Sequence, residues 1–148
     1  MASKSLLSSF PILFCILLCS HCNLAAAREK HFVFYAHAVT GGPNANAVVI
    51  AGENGTSSSL LAFGTVNVLD HPITVGPDPS SKFLGRIQGI EASSDINQNT
   101  FFHLTTVIFE TGRYNGSTIE MHGANRFRQE KRDVSVVGGT GRLKYARG

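Results

Sequence analysis

Cysteine is missing from nearly the whole of this chain: Cys15, Cys19 and Cys22 lie close to the N-terminus and none follows. With the N-terminal segment removed, neither a disulfide framework nor a thiolate centre can be built. Charge is sparse as well, with 16% of residues ionised and a formal net charge of +3. In the single basic cluster, Arg126, Arg128, Lys131 and Arg132 are interleaved with Glu130 and Asp133. No basic stripe results, which excludes nucleic acid as a partner. A membrane-spanning run is lacking too, because the apolar stretch from Phe10 to Leu18 falls short of the ~20 residues a spanning helix requires. Helical periodicity is absent from the rest of the chain.

That short apolar stretch has another meaning. Lys4 precedes it, the small residues Ala25, Ala26 and Ala27 close it, and the polar Arg28, Glu29 and Lys30 follow. The three-part pattern predicts a secretory signal peptide over residues 1–27, cut after Ala27, and hence a secreted protein with no membrane attachment after cleavage. Residues 28–148 are enough for one domain with a real core and too few for two.

From His31 onward, Val, Ile, Phe and Thr run in strand-length segments separated by Gly, Asn, Pro and Ser. The predicted strands are His31 to Val39, Asn46 to Glu53, Leu60 to Leu69, Phe83 to Ser93, Thr100 to Glu110, Ser117 to Asn125, Lys131 to Val137, and a last one opening at Arg142. Eight strands with short turns predict an all-β fold, an eight-stranded antiparallel barrel, since an open sheet would leave edges to protect. Asn54-Gly55-Thr56 and Asn115-Gly116-Ser117 each read as a turn and as an N-glycosylation acceptor. Several strands are apolar on both faces: Phe102, Leu104 and Ile108 alternate with Phe101, Val107 and Phe109. A barrel dries only one face, so the other set predicts self-association.

Familiar catalytic signatures are absent. The glycines in Gly138-Gly139-Thr140-Gly141 have the wrong spacing for a phosphate loop and read as a tight turn. His37, His103 and His122 are dispersed rather than spaced as metal ligands, and no G-x-S-x-G elbow occurs. Strand parity says more. Arg132 shares a predicted face with Val134 and Val136, and Asn125 with Ile119 and Met121. A cation and an amide on otherwise dry faces fit a polar spot inside an apolar cavity, which would orient a ligand. The pattern fits equally well with Arg132 at a strand mouth, paired with Glu130.

Five segments in order, Phe34 to Asn44, Val68 to Thr74, Gly85 to Gly89, Tyr114 to Phe127 and Lys131 to Gly148, resemble the plant dirigent family over nearly all of residues 28–148. The resemblance implies a self-associated β-barrel, a homodimer or homotrimer, secreted to the apoplast and N-glycosylated at Asn54 or Asn115. It implies a guide protein without cofactor or metal, not an oxidase. Such a guide orients phenoxy radicals of monolignols such as coniferyl alcohol, made by a separate laccase or peroxidase, towards lignan or lignin-like products of phenylpropanoid metabolism. Arg132 matches the family's pocket arginine, and Asp70 the first acid of its Asp-Asp-Pro motif. The second acid is His71 here, the first-strand aspartate is Ala38, and the sixth-strand acid is Asn125. The predicted ligand-binding set is therefore Arg132, Asn125, Asp70 and His71. An amide can hold an oxygen but cannot deliver a proton as a carboxylic acid does. The resemblance also implies further strand after Gly148, so the domain reads as truncated at its C-terminus. Two other readings remain: a cell-wall or defence-related binding protein for phenols or sugars, and an isomerase similar to the allene oxide cyclases.

Overall fold

The computed structural model describes residues 29–97 and 100–148. The predicted signal peptide and the cysteines lie outside the described residues. Seven strands form one antiparallel sheet within Val33–Gly148: β1 (Tyr35–Ala36), β2 (Ala47–Ala51), β3 (Val66–Thr74), β4 (Phe83–Ser93), β5 (Phe101–Phe109), β6 (Thr118–Asn125) and β7 (Ser135–Gly139). The order is β1-β3-β4-β5-β6-β7, and β2 pairs beside β1 along the same edge of β3. The sheet curls into a half-barrel. No ladder joins β7 to β1 or β2 among the described residues.

β4 fills its predicted range, β5 is shorter than predicted by a residue at either end, and β6 is shorter by one residue at its start. Four predicted strands are corrected. The first, predicted over His31 to Val39, is reduced to Tyr35–Ala36, the two residues that pair with β3. The third begins at Val66 instead of Leu60, because Gly64 adopts a left-handed conformation and the chain turns twice before it, Ala62 N–H donating to the Ser59 carbonyl and Thr65 N–H to the Ala62 carbonyl. It then continues through Pro72, which the ladder accommodates: the Pro72 carbonyl accepts from His37 N–H at 3.0 Å on the β1 side, so β4 needs no proline N–H. The seventh begins at Ser135, which leaves Arg132 in the β6–β7 loop. The stretch from Arg142 opens as a 3-10 turn, Gly141–Leu143, after which Gly148 pairs with Val136 by two backbone hydrogen bonds. The Gly-rich segment thus reverses the chain, as its composition predicts.

Parity divides the sheet cleanly. Leu69, Ile73, Phe101, Val107, Phe109 and Ile119 are buried on the inner face, and Leu143 packs into the core from its 3-10 turn. Outward stand Val48, Val68, Ile90 and Leu104, cross-strand neighbours in one row over β2, β3, β4 and β5. All four are well exposed, from 38% at Val68 to 51% at Leu104, and Phe102 extends the patch. Burying a side chain of this size is worth ~1.5–3 kcal/mol.

Two glycines of β4 let β5 come close. Gly85 and Gly89 have φ of 156° and 151°, and a Cβ at Gly89 would lie 2.1 Å from the Leu104 carbonyl oxygen. Only glycine permits β5 to approach β4 so closely there.

Candidate functional site

The inner face is graded along its length. At one end Ile73, Val107, Phe109 and Ile119 form an apolar floor. Towards the β4–β5 connection the cross-strand rows become polar: Leu69–Gly89–Thr105–Met121, then Asn67–Glu91–His103–Gly123, then Ser93–Phe101–Asn125. Gly89 and Gly123 contribute no side chain to these rows, so the polar groups stand over a thinly covered stretch of backbone.

Glu91, His103 and Asn125 touch. His103 Nε2 lies 3.3 Å from Glu91 Oε1 and 2.8 Å from Asn125 Nδ2. Their side chains are mostly buried, His103 13% and Glu91 19% exposed. Phe101 packs its ring edge-on to His103 and stacks on Phe127, which walls the cluster with aromatic surface. Burial holds the His103 imidazole down to about 4, aided by the nearby positive charge of Arg132. Burial pushes the Glu91 carboxyl above its ordinary value. In both groups burial disfavours the charged form.

Two further polar atoms on this face have no hydrogen-bond partner among the described residues. Asn67 is 1% exposed and its Oδ1 is unpartnered, although its Nδ2 donates to the Leu60 carbonyl. Thr105 is 4% exposed and its hydroxyl is unpartnered. Buried polar atoms are satisfied in the great majority of cases; the Thr65 hydroxyl, also fully buried, shares this state at the head of β3. A shallow cleft of about 500 Å³, lined by Phe63, Ile96, Asp95 and Arg126 among others, opens beside the β4–β5 connection. None of Glu91, His103 or Asn125 lines it.

The structure brings together some of the predicted residues and separates others. Asn125 lies on the inner face at the end of β6, against His103. Arg132 is exposed in the loop, not on a strand face with Val134 and Val136, yet its charge reaches His103. Asp70 stands on the outer face in a network with Arg86 and Gln88: Arg86 Nε and Gln88 Nε2 donate to its Oδ1, and Arg86 Nη2 to its carbonyl. The Arg86 hydrogen bond holds the Asp70 carboxyl below its usual range. His71 points to the inner face, where its Nδ1–H donates to Asn46 Oδ1 at 2.7 Å, and burial lowers its basicity. Ala38 is exposed and outside any strand. Of the two glycosylation acceptors, Asn54 and Thr56 are exposed, whereas Asn115 is exposed but its partner Ser117 is buried and accepts from Arg142 N–H.

Sequence reasoning dismissed His103 as dispersed and passed over Glu91. The signal that finds them is hairpin arithmetic: a connection centred on Asn97 sets residue 91 opposite residue 103, as the ladder does. An acid facing a histidine in otherwise apolar strands is then visible without coordinates. Chemically, the arrangement sets an acid, an imidazole and an amide together at one end of a face whose other end is apolar core.

Comparison with known proteins agrees with this architecture. The Dirigent-like protein family profile matches residues 29–148. Dirigent protein 11 of Arabidopsis thaliana is 39% identical over 121 residues, covering 82% of this chain and 63% of the relative, so the chain spans under two thirds of that protein's length. Pterocarpan synthase 1 of Glycine max is 41% identical over 130 residues, covering 85% of this chain and 70% of the relative. The solved structure of the pterocarpan synthase dirigent protein GePTS1 superimposes with a TM-score of 0.71 at 36% identity, over 82% of this chain and 72% of that one. With a profile spanning everything after the predicted signal peptide and a solved relative sharing its sheet, this chain belongs to the dirigent-like protein family.

Proposed function

We propose that the inner face of the sheet binds planar phenols and orients them for stereoselective bond formation. In this reading the ligands are phenoxy radicals of coniferyl-type monolignols, supplied by a separate laccase or peroxidase, and the products are lignan or lignin-like. The observation that carries the proposal is the gradient on one face, from the buried floor of Ile73, Val107 and Ile119 to the Glu91–His103–Asn125 cluster. An apolar wall supplies affinity and a few fixed polar groups set orientation. Radical coupling has little barrier to lower, so holding two rings in one geometry is the useful contribution. A preference of about 1.4 kcal/mol for one face yields a tenfold excess of one product.

The protein acts as secreted, in the apoplast, and self-associated as a homodimer or homotrimer, with a glycan at Asn54. The exposed row Val48, Val68, Ile90 and Leu104 supports self-association, since a second copy is the partner always available to such a patch.

The test is to oxidise coniferyl alcohol with a laccase, with and without the protein, and to separate the dimers on a chiral column. An excess of one enantiomer is expected; racemic product with several monolignols rejects the proposal.

A second reading, an enzyme that closes a ring on a phenolic substrate without an oxidase, is favoured by the pairing of Glu91 with His103 and by the likeness to proteins named pterocarpan synthase. Formation of a pterocarpan by the protein in the absence of any oxidase would decide for it.

A further inference from the structure

Three connections meet at one end of the sheet: the turn before β3, the β4–β5 connection and the start of the β6–β7 loop. Backbone pairing fixes them there. Gly64 N–H donates to the Ser93 carbonyl at 2.8 Å, and Phe102 faces Ala124 across β5 and β6. Between these connections opens the cleft of about 500 Å³, a size within the ~300–1,000 Å³ of small-molecule sites. It is separate from the inner face, since Glu91, His103 and Asn125 do not line it.

Two opposite charges line this cleft without meeting. The Asp95 carboxylate is held by its own connection: Oδ1 accepts from Asn97 N–H at 2.8 Å and Oδ2 from the Thr100 hydroxyl at 3.2 Å. Arg126 contributes a guanidinium that makes no side-chain hydrogen bond or ion pair among the described residues. Both retain capacity for a further partner, because a carboxylate oxygen has more than one lone pair and a guanidinium presents several N–H donors. Apolar surface stands beside them. Phe63 is 55% exposed on the turn before β3 and Ile96 is 72% exposed on the β4–β5 connection, and both line the cleft. Apolar surface rimmed by fixed polar groups is the composition of a ligand groove.

A molecule that suits these groups must donate to Asp95, accept from Arg126 and lay C–H surface on Phe63. It must also be uncharged overall, because the carboxylate and the guanidinium already balance. An anion would face Asp95, and a cation would face Arg126. A sugar ring meets every requirement: its adjacent hydroxyls both donate and accept, and one face of the ring is a row of C–H bonds that packs on an aromatic side chain.

We propose that this cleft binds a neutral saccharide, the sugar ring lying on Phe63 with adjacent hydroxyls bridging Asp95 and Arg126. The site lies outside the phenol-binding face and goes beyond that reading: it anchors the protein to a glycan and leaves the inner face free. In the apoplast proposed above, the neutral wall polysaccharides have this chemistry. Water competes for every polar group in so open a cleft, so a single site binds weakly, in the millimolar range.

The experiment titrates the full chain by calorimetry with cellohexaose, xylohexaose and mannohexaose, and with hexagalacturonate as the charged comparison. The variants are Phe63→Ala, Phe63→Tyr and Arg126→Gln, each checked for folding by circular dichroism. At least one neutral hexasaccharide is expected to bind the wild type. Phe63→Ala and Arg126→Gln are each expected to weaken that binding about tenfold, the effect of roughly one lost contact, while Phe63→Tyr, which keeps the ring, retains it. If none of the three neutral chains binds at millimolar concentration, the proposal is overturned. It is overturned equally if hexagalacturonate binds more tightly than all of them, which contradicts the charge balance, or if neither Phe63→Ala nor Arg126→Gln weakens the binding, which puts the site elsewhere.

Discussion

Asp70 and His71 are adjacent in sequence and project from opposite faces of β3, Asp70 into the outer Arg86–Gln88 network and His71 onto the inner face against Asn46. Successive strand residues must alternate, so the two cannot serve one site. Their substitutions should therefore separate. Asp70→Asn is expected to leave phenol binding intact and to lower stability modestly, by under ~1 kcal/mol, because a pair this exposed is screened. The sign with pH follows from its lowered pKa: the contribution is fully present above the ordinary aspartate value and is lost as pH falls from there through the lowered value of the folded state. Urea melts of the wild type and Asp70→Asn should differ at pH 7, and the difference should shrink as pH is lowered below the ordinary aspartate value; a constant difference would contradict the assignment.

His103 and Glu91 impose opposite slopes on stability. The unfolded chain binds a proton at His103 below the ordinary histidine value of about 6.5, while the folded protein waits until about 4. Stability should therefore fall as pH drops through that window, by at most about 3 kcal/mol. Glu91 acts the other way: burial raises it, so stability falls as pH rises above the ordinary glutamate value. Glu91→Gln is expected to be more stable than the wild type at pH 7 and to lose that advantage at pH 4, measured by thermal melts at both. A less stable Glu91→Gln protein at neutral pH would mean that the carboxylate is paired in the fold after all.

The outer apolar row supplies a test of self-association. Ile90→Asp together with Leu104→Lys places charge in the middle of the exposed row, which should abolish an interface that depends on it. Light scattering is expected to show an oligomer for the wild type and a monomer for the double variant, with the far-ultraviolet circular dichroism unchanged. A wild type that is already monomeric at micromolar concentration would remove this role from the row.

Gly89 has a sharper requirement than its neighbours. Replacing it by alanine adds a Cβ that would lie 2.1 Å from the Leu104 carbonyl oxygen, at a φ of 151°. The β4–β5 ladder must then shift, at a cost of roughly 1–3 kcal/mol for the strained backbone and more for the clash. Denaturant unfolding of Gly89→Ala should show at least that loss; near-wild-type stability would mean that the close approach of β5 to β4 is not where the structure has it.

Much of the architecture was legible in the chain. The β4, β5 and β6 segments are long, apolar and bounded by turn residues, and each was placed to within a residue or two at its ends. The alternation in Phe101 to Phe109 announced two apolar faces, and parity put Asn125 with Ile119 and Met121, as the ladder does. Where prediction failed, local composition was ambiguous. Leu60 to Phe63 is as apolar as a strand, but Gly64 turns the chain before β3 can start. Lys131 to Asp133 looked continuous with Val134 and Val136, but nothing pairs with it in the sheet, so Arg132 ends in a loop.

What the sequence determined by itself is the period of two, the turns and the family: side chains alternate because extended backbone makes them, and ordered motifs carry through any packing. What it left open is which apolar set turns inward and which polar groups meet. Those depend on cross-strand register, which sets Glu91 beside His103 and brings Asn125 to His103, and on the curl of the sheet, which dries one face and leaves Val68, Ile90 and Leu104 in water. Register and curvature arise from many strands packing at once, and no single segment contains them.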